Sequence, residues 1–361
     1  MNKLGFGFLR LPQTDGQVDY ATIDRMVDLF MAAPGRRCFD TAYTYMDGKC
    51  EVAIGKCLSA RYPRERYELT TKLPGYLCKS YEDAHAFFEE SARRCGVTYF
   101  DTYMLHWMNT EHYNIAQKYR QFDFLRELKR TGKAKRIGFS FHDTPELLEE
   151  ILTTHPDVDC VLLQINYLDW EAPGIQSRAC YEIAKKHGKD IIVMEPVKGG
   201  RLAKVPEAAA EILGAVDPNA SAASLAVRFV HSLPGIETVL SGMSAPEQVE
   251  DNLQPMAPMT EAELSLMAKA AEAIKKATAV DCTGCGYCVS HCPMELPIPK
   301  LFGLYNTYSS YPRHLWKVVP AYRQLEVTAS ACVGCGVCQE HCPQKLTIPE
   351  HMKEIAKVFE G

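Results

Sequence analysis

The chain has 361 residues, 47% of them hydrophobic and 24% charged, with a formal net charge of −5. These totals are those of a soluble globular protein with one large core and a small second unit, not of a disordered or fibrous chain. Forty basic residues against forty-five acidic ones, with no basic block, argue against a nucleic-acid partner. No apolar run approaches the roughly 18 residues of a membrane span. The start, Met1-Asn2-Lys3-Leu4, has no signal-peptide pattern, so no membrane association and a cytoplasmic location are expected.

Through the first ~270 residues, short β-branched or aromatic runs alternate with longer amphipathic stretches. Strands are expected at residues 4–9, 37–40, 68–72, 102–106, 136–140, 161–166, 191–195 and 238–241. Strand–helix alternation carried to eight closes into a (β/α)8 TIM barrel rather than an open sheet. Residues 4–9 could equally form a hairpin capping the barrel floor. Helix starts are legible too: Thr144-Pro145-Glu146 places a cap before a proline at the first helical position. Asp40, Lys72, His106, Ser140, Gln164, Glu195 and Ser241 each close an apolar strand, and that end of a barrel is its active-site face.

Three segments carry the expected chemistry: Phe39-Asp40-Thr41-Ala42-Tyr43-Thr44-Tyr45, Leu69-Thr70-Thr71-Lys72 and Met104-Leu105-His106-Trp107. A free tyrosine, with a pKa near ~10, is a poor acid at neutral pH. The Lys72 ammonium would lower the pKa of Tyr45 toward a useful range, Asp40 would hold Lys72, and His106 would hydrogen-bond a substrate carbonyl. Tyr43 reads as core or pocket wall, Trp107 as pocket lining or else packing, and His142 as a loop histidine or a substrate contact. This constellation resembles the catalytic tetrad of the aldo/keto reductase superfamily, a resemblance that spans about residues 4–253 and includes Gly138-Phe139-Ser140 and Gln164.

The resemblance implies carbonyl reduction by NAD(P)H, with Asp40, Tyr45, Lys72 and His106 as the catalytic set. It implies nucleotide contacts at Ser140, Gln164, Met194, Gly199, Ser241, Gly242, Gln248 and Asn252. Two departures stand out. Met194 occupies the place where the family commonly stacks a tyrosine on nicotinamide, and methionine does not orient a ring in that way. The loop from Ser241 to Asn252 has no Lys or Arg to meet a 2′-phosphate, which leaves NADH as an equal alternative to NADPH. Lys198 and Arg201 could still meet a phosphate after the seventh strand.

From Thr260 a capping-box start leads into a connector helix, and composition changes abruptly near Ala279. Residues 1–279 are therefore expected to form the barrel domain with its connector, and 280–361 a second, largely helical domain. Eight of the fifteen cysteines lie there, as Cys282-x2-Cys285-x2-Cys288-x3-Cys292-Pro293 and, fifty residues on, Cys332-x2-Cys335-x2-Cys338-x3-Cys342-Pro343. Three thiolates two residues apart can reach three corners of one cubane, while the cysteine before proline turns to the other cluster. Zinc sites use pairs of C-x2-C instead. Two [4Fe–4S] clusters are expected, one on Cys282, Cys285, Cys288 and Cys342, the other on Cys332, Cys335, Cys338 and Cys292. The segment from about Val280 to Pro349 resembles two-cluster ferredoxins, with a longer insert (294–331) suited to helices. The seven upstream cysteines read as small buried hydrophobes.

Hydride transfer moves two electrons together and a cluster accepts one, so the halves are chemically mismatched unless a flavin intervenes. The leading expectation is an oxidoreductase acting on a small carbonyl-type substrate, its clusters relaying electrons to or from a ferredoxin or other redox protein. The alternatives are a conventional NAD(P)H reductase with structural clusters, and a non-catalytic electron carrier or redox sensor.

Overall fold

The computed structural model describes residues 3–172, 174–254, 257–310 and 315–361. Its packing separates two compact units, Met1–Val197 with Ala223–Thr260, and Lys198–Ala222 with Glu261–Gly361. No helix of the described residues is long and apolar enough to cross a membrane.

The first unit is a closed barrel of eight parallel strands: β1 (Leu4–Gly7), β2 (Cys38–Asp40), β3 (Glu68–Leu73), β4 (Phe100–Met108), β5 (Ala134–Phe141), β6 (Cys160–Gln164), β7 (Asp190–Met194) and β8 (Ile236–Gly242). Closure is made by β1, which pairs with β2 on one side and β8 on the other. Residues 4–9 therefore supply a barrel strand. The hairpin follows it instead, at Gln13–Thr14 and Gln17–Val18. Strands enclosed by side chains within and helices without read as unbroken apolar runs, and β4 is buried at every residue except Trp107. The sixth strand stops at Gln164, short of residue 166. There the Asn166 side chain accepts from the Leu168 and Asp169 N–H groups at 3.1 and 2.9 Å and turns the chain.

The helices obey their local signals. Thr144 caps Pro145–Thr154, and Ser80 and Asp83 form a reciprocal capping box on Tyr81–Cys95, which ends on Gly96 at φ 66°. Gly138 is obligatory for packing: a Cβ there would lie 2.2 Å from the Cys160 carbonyl oxygen on β6. At the opening ends of the strands, Arg36 pairs with Glu68 and Glu237, and Arg136 with Glu237 and Asp190, around an open cavity.

In the second unit, the helix Glu207–Gly214 packs on Glu261–Lys276. Composition changes near residue 279, but packing joins 261–276 and 198–222 to the cysteine-rich segment. That segment carries helices at Ile298–Ser310, Leu315–Arg323, Val337–Glu340 and Ile348–Phe359, the first two within the long insert. Leu296, Ile298, Phe302, Ile348, Met352 and Ile355 are at the centre of its core. The fifty-residue repeat extends to the backbone: Gly284 and Gly334 have φ of 69° and 74°, Gly286 and Gly336 83° and 79°, and Glu295 and Lys345 54° and 52°.

Candidate active site and cysteine centres

Four side chains from the closing ends of β2, β3 and β4 and from the turn after β2 meet at the barrel mouth. Lys72 is fully buried, and its Nζ donates to Asp40 Oδ1 at 2.6 Å, to the Thr41 carbonyl at 2.7 Å and to Tyr45 Oη at 3.4 Å. The Tyr45 and His106 rings meet edge to face, with centroids 5.6 Å apart. Asp40 Oδ2 and His106 Nδ1 are buried with no hydrogen-bond partner among the described residues, an arrangement that leaves polar capacity for a ligand.

The electrostatics differ from the sequence expectation. Tyr45 is pushed well above the usual phenol value, first by burial and then by the Asp40 carboxylate, and Lys72, which is paired with Asp40, does not reverse this. Burial raises Asp40 above the ordinary carboxylate range, and the Lys72 ammonium pulls it back. Burial, then Lys72, holds His106 well below the usual imidazole value, so it is neutral. Tyr45 thus stays a protonated phenol, not a lowered one.

A bulge shapes the rest of the mouth. The β4–β5 register shifts between Leu105 and Met108, and Trp107 takes a left-handed φ of 59°. Ser140 Oγ accepts from the Trp107 N–H at 2.7 Å and pins this bend. His112 Nδ1 lies 2.6 Å from the Trp107 carbonyl oxygen, which makes Nδ1 the protonated nitrogen. Tyr76 stacks on His112 at 4.8 Å and reaches Trp107 and His106, at 5.9 and 6.3 Å. Trp107 is thus part of an aromatic wall, and His142 stands beside it at 6.5 Å. Tyr43 packs on Phe87 and Arg94.

Sequence reading missed Tyr76, His112 and Arg10. Arg10 lies close to Gly242, its field acts on Tyr45, and its Nη2 is buried with no hydrogen-bond partner among the described residues. The signal was present, since Arg10 is the polar residue that closes the apolar run of residues 4–9.

The expected nucleotide residues fall in several settings. Buried Gln164 donates to Asp169 Oδ2 at 2.8 Å, and Ser241 Oγ donates to Asn252 Oδ1 at 2.6 Å. Met194 packs against the buried cluster of Met104, Cys160, Leu162, Ile192 and Leu240. Gly242 and Gln248 are exposed, and Gln248 Oε1 accepts from the Ser244 N–H at 2.8 Å. Gly199 is in the second unit at φ 65°. Lys198 and Arg201 lie there too, engaged with Asp281.

In the second unit the cysteines surround two cavities. Cys282, Cys285, Cys288 and Cys342 line the first; Cys292, Cys332, Cys335 and Cys338 line the second. The residue before proline in each motif has crossed to the other's cavity. Among the described residues no three His, Cys, Asp or Glu side chains converge on a point fit for a single metal ion. Each cavity is lined by four thiols, the number of ligands that a cubane takes. Burial and neighbouring thiolates push Cys282 up to about 11 and Cys288 to about 12, so cationic iron is what would hold them as thiolates. The Gly284 N–H points at Cys282 Sγ, 3.4 Å away. The donor set fits iron–sulfur clusters. The seven upstream cysteines are all buried.

Comparison with known proteins divides the chain near residue 280, so the first match includes 198–222 and 261–272, which pack in the second unit. The aldo/keto reductase family model matches residues 3–272 and a 4Fe-4S dicluster domain matches 281–347. An aldo-keto reductase of Mycobacterium avium is 27% identical over 220 residues, 61% of this chain and 71% of its own length. The NADH-specific methylglyoxal reductase of Escherichia coli is 24% identical over 304 residues, 70% of this chain and 90% of its own. Solved structures share the fold. An aldo-keto reductase from Bacillus halodurans, in its holo form, has a TM-score of 0.61 at 23% identity, covering 75% of this chain and 92% of its own. One from Klebsiella pneumoniae in complex with NADPH has a TM-score of 0.60 at 21% identity, covering 74% and 90%. Since the first family match runs through every strand of the barrel, the chain belongs to the aldo/keto reductase family and is an oxidoreductase that carries a 4Fe-4S dicluster domain.

Proposed function

We propose that the protein reduces a small carbonyl compound with a nicotinamide dinucleotide, and that two clusters in its second unit exchange electrons with a ferredoxin or similar redox protein. The observation that carries the reading is Lys72, whose Nζ bridges Asp40 and Tyr45 in a buried site. Bound nicotinamide supplies the hydride. Tyr45, kept as a phenol by burial, gives its proton to the carbonyl oxygen. Lys72 then stabilises the phenolate left behind, Asp40 keeps Lys72 in place, and neutral His106 orients the carbonyl with its ring N–H.

Ser140, Gln164, Met194, Ser241, Gly242, Gln248 and Asn252 are the barrel residues expected to hold the nucleotide, with Arg10 as a cation for its diphosphate. The segment after β8, which continues as the helix Pro246–Asn252, offers Glu247, Glu250 and Asp251 and no Lys or Arg, so a 2′-phosphate is disfavoured and NADH should give the higher kcat/KM. Cys282, Cys285, Cys288 and Cys342 would bind one cluster and Cys332, Cys335, Cys338 and Cys292 the other.

The test is aldehyde reduction by Tyr45→Phe. Loss of about 10²–10⁴-fold in kcat is expected, with nucleotide affinity retained; unchanged turnover would exclude Tyr45 as the acid. Adding NADH to the anaerobic holoprotein, after assay for flavin, tests electron relay through bleaching of cluster absorbance. A structural role has its own support, since Cys288 and Cys338 are part of the second unit's core. It predicts that Cys285→Ser lowers stability and spares carbonyl reduction.

A further inference from the structure

The two cysteine cavities are related by the internal repeat, so a difference between them must come from positions where the repeat breaks. Thr283 and Gln344 line the first cavity, whereas their counterparts fifty residues away, Val333 and Met294, line the second. Thr283 is 6% exposed, and its Oγ1 has no hydrogen-bond partner among the described residues. A buried hydroxyl at the wall of a cavity is costly unless something in the cavity accepts its proton. Val333, by contrast, is 64% exposed.

A second break points the same way. Asp281, beside Cys282, corresponds to Ala331. It draws two cations to the first cavity from the stretch that opens this unit. Fully buried Lys198 places Nζ 3.1 Å from Asp281 Oδ2 and 3.1 Å from Gln344 Oε1, and so holds that cavity-lining amide in one orientation. Arg201 pairs with Asp281, donates to Thr278 Oγ1 at 2.6 Å, and its field reaches Cys282. No charged residue lines either cavity; the two cations act on the first from behind Gln344 and Asp281.

We propose that Thr283, Gln344 and Lys198, with Arg201, give the cluster of the first cavity the higher reduction potential, making it the site where an incoming electron rests. The inference builds on the two-cluster reading above. Reduction adds one negative charge to a cluster without making or breaking a bond. Nearby cations and hydrogen bonds to sulfur favour the reduced form, whereas apolar walls do not. A one-electron donor such as a reduced ferredoxin would deliver to the second cavity, where Cys335 is exposed, and the electron would pass on to the first.

The experiment is an EPR-monitored redox titration of the anaerobic holoprotein with dithionite, its signals assigned with Cys285→Ser and Cys335→Ser. The first cluster is expected to hold the first electron at least about tenfold over the second, equivalent to about 59 mV for one electron. Thr283→Val combined with Gln344→Met should remove that preference. Lys198→Met should reduce it, Lys198→Arg should restore it, and Val333→Thr should raise the second cluster instead. About eight irons per chain with equal potentials, or a higher second cluster, would overturn the inference alone. About four irons per chain would overturn the two-cluster reading and the inference with it.

Discussion

The two ends of the barrel use charge in opposite ways. At the opening ends of the strands, Arg36, Glu68, Arg136 and Glu237 are partly exposed and pair with one another. At the closing ends, Asp40 and Lys72 are buried together while Asp40 Oδ2, His106 Nδ1 and Arg10 Nη2 keep unused hydrogen-bonding capacity. A network satisfied within itself contributes modestly to stability and nothing to chemistry. A buried pair with open valences costs stability and is useful only where a ligand completes it.

Lys72→Met should give the largest break in that contrast. It leaves the Asp40 carboxylate buried without its partner, and denaturant unfolding should register a loss of about 3–5 kcal/mol. Pairing it with Asp40→Asn should restore most of that stability and none of the activity. Asp40→Asn alone sharpens the electrostatic side. Burial and the Asp40 charge both raise Tyr45, so the alkaline limb of kcat in the parent should lie above pH ~10. Removing the carboxylate should move that limb to lower pH; an upward move would contradict the assignment.

His106 gives a smaller effect, on stability. Its pKa is depressed in the fold, so between its folded value and about 6.5 only the unfolded chain takes up the proton. Its contribution is complete above about pH 6.5 and lost as pH falls toward the folded value. His106→Gln should flatten that acid slope in unfolding curves. Smallest of all, Glu237→Gln at the other end should cost about 1 kcal/mol or less and leave kcat unchanged.

Much of this was legible because parallel barrel strands are buried on both faces. Runs such as Val161-Leu162-Leu163 and Ile191-Ile192-Val193 announce themselves, and Asp40, Lys72 and His106 follow from which residues close such runs, whereas Tyr45 lies in the turn after β2. The missed residues come from features without period. Tyr76 and His112 belong to loop and helix segments gathered around the Trp107 bulge, and a bulge leaves little trace in apolar pattern. The direction of the Tyr45 shift failed for a different reason: sequence names its neighbours but not its burial, and burial dominates. The partnership of Lys198 and Arg201 with Asp281, some eighty residues on, could not be read from spacing at all.

The exchange of Cys292 and Cys342 between the two cavities also sets an order for making the protein. The first cavity has only three of its thiols when Cys288 leaves the ribosome, and gains its fourth with Cys342, more than fifty residues later. At about 5–20 residues per second that interval lasts seconds. Iron delivered during synthesis would meet an incomplete site, so a carrier that waits for the finished chain would load both sites in one episode.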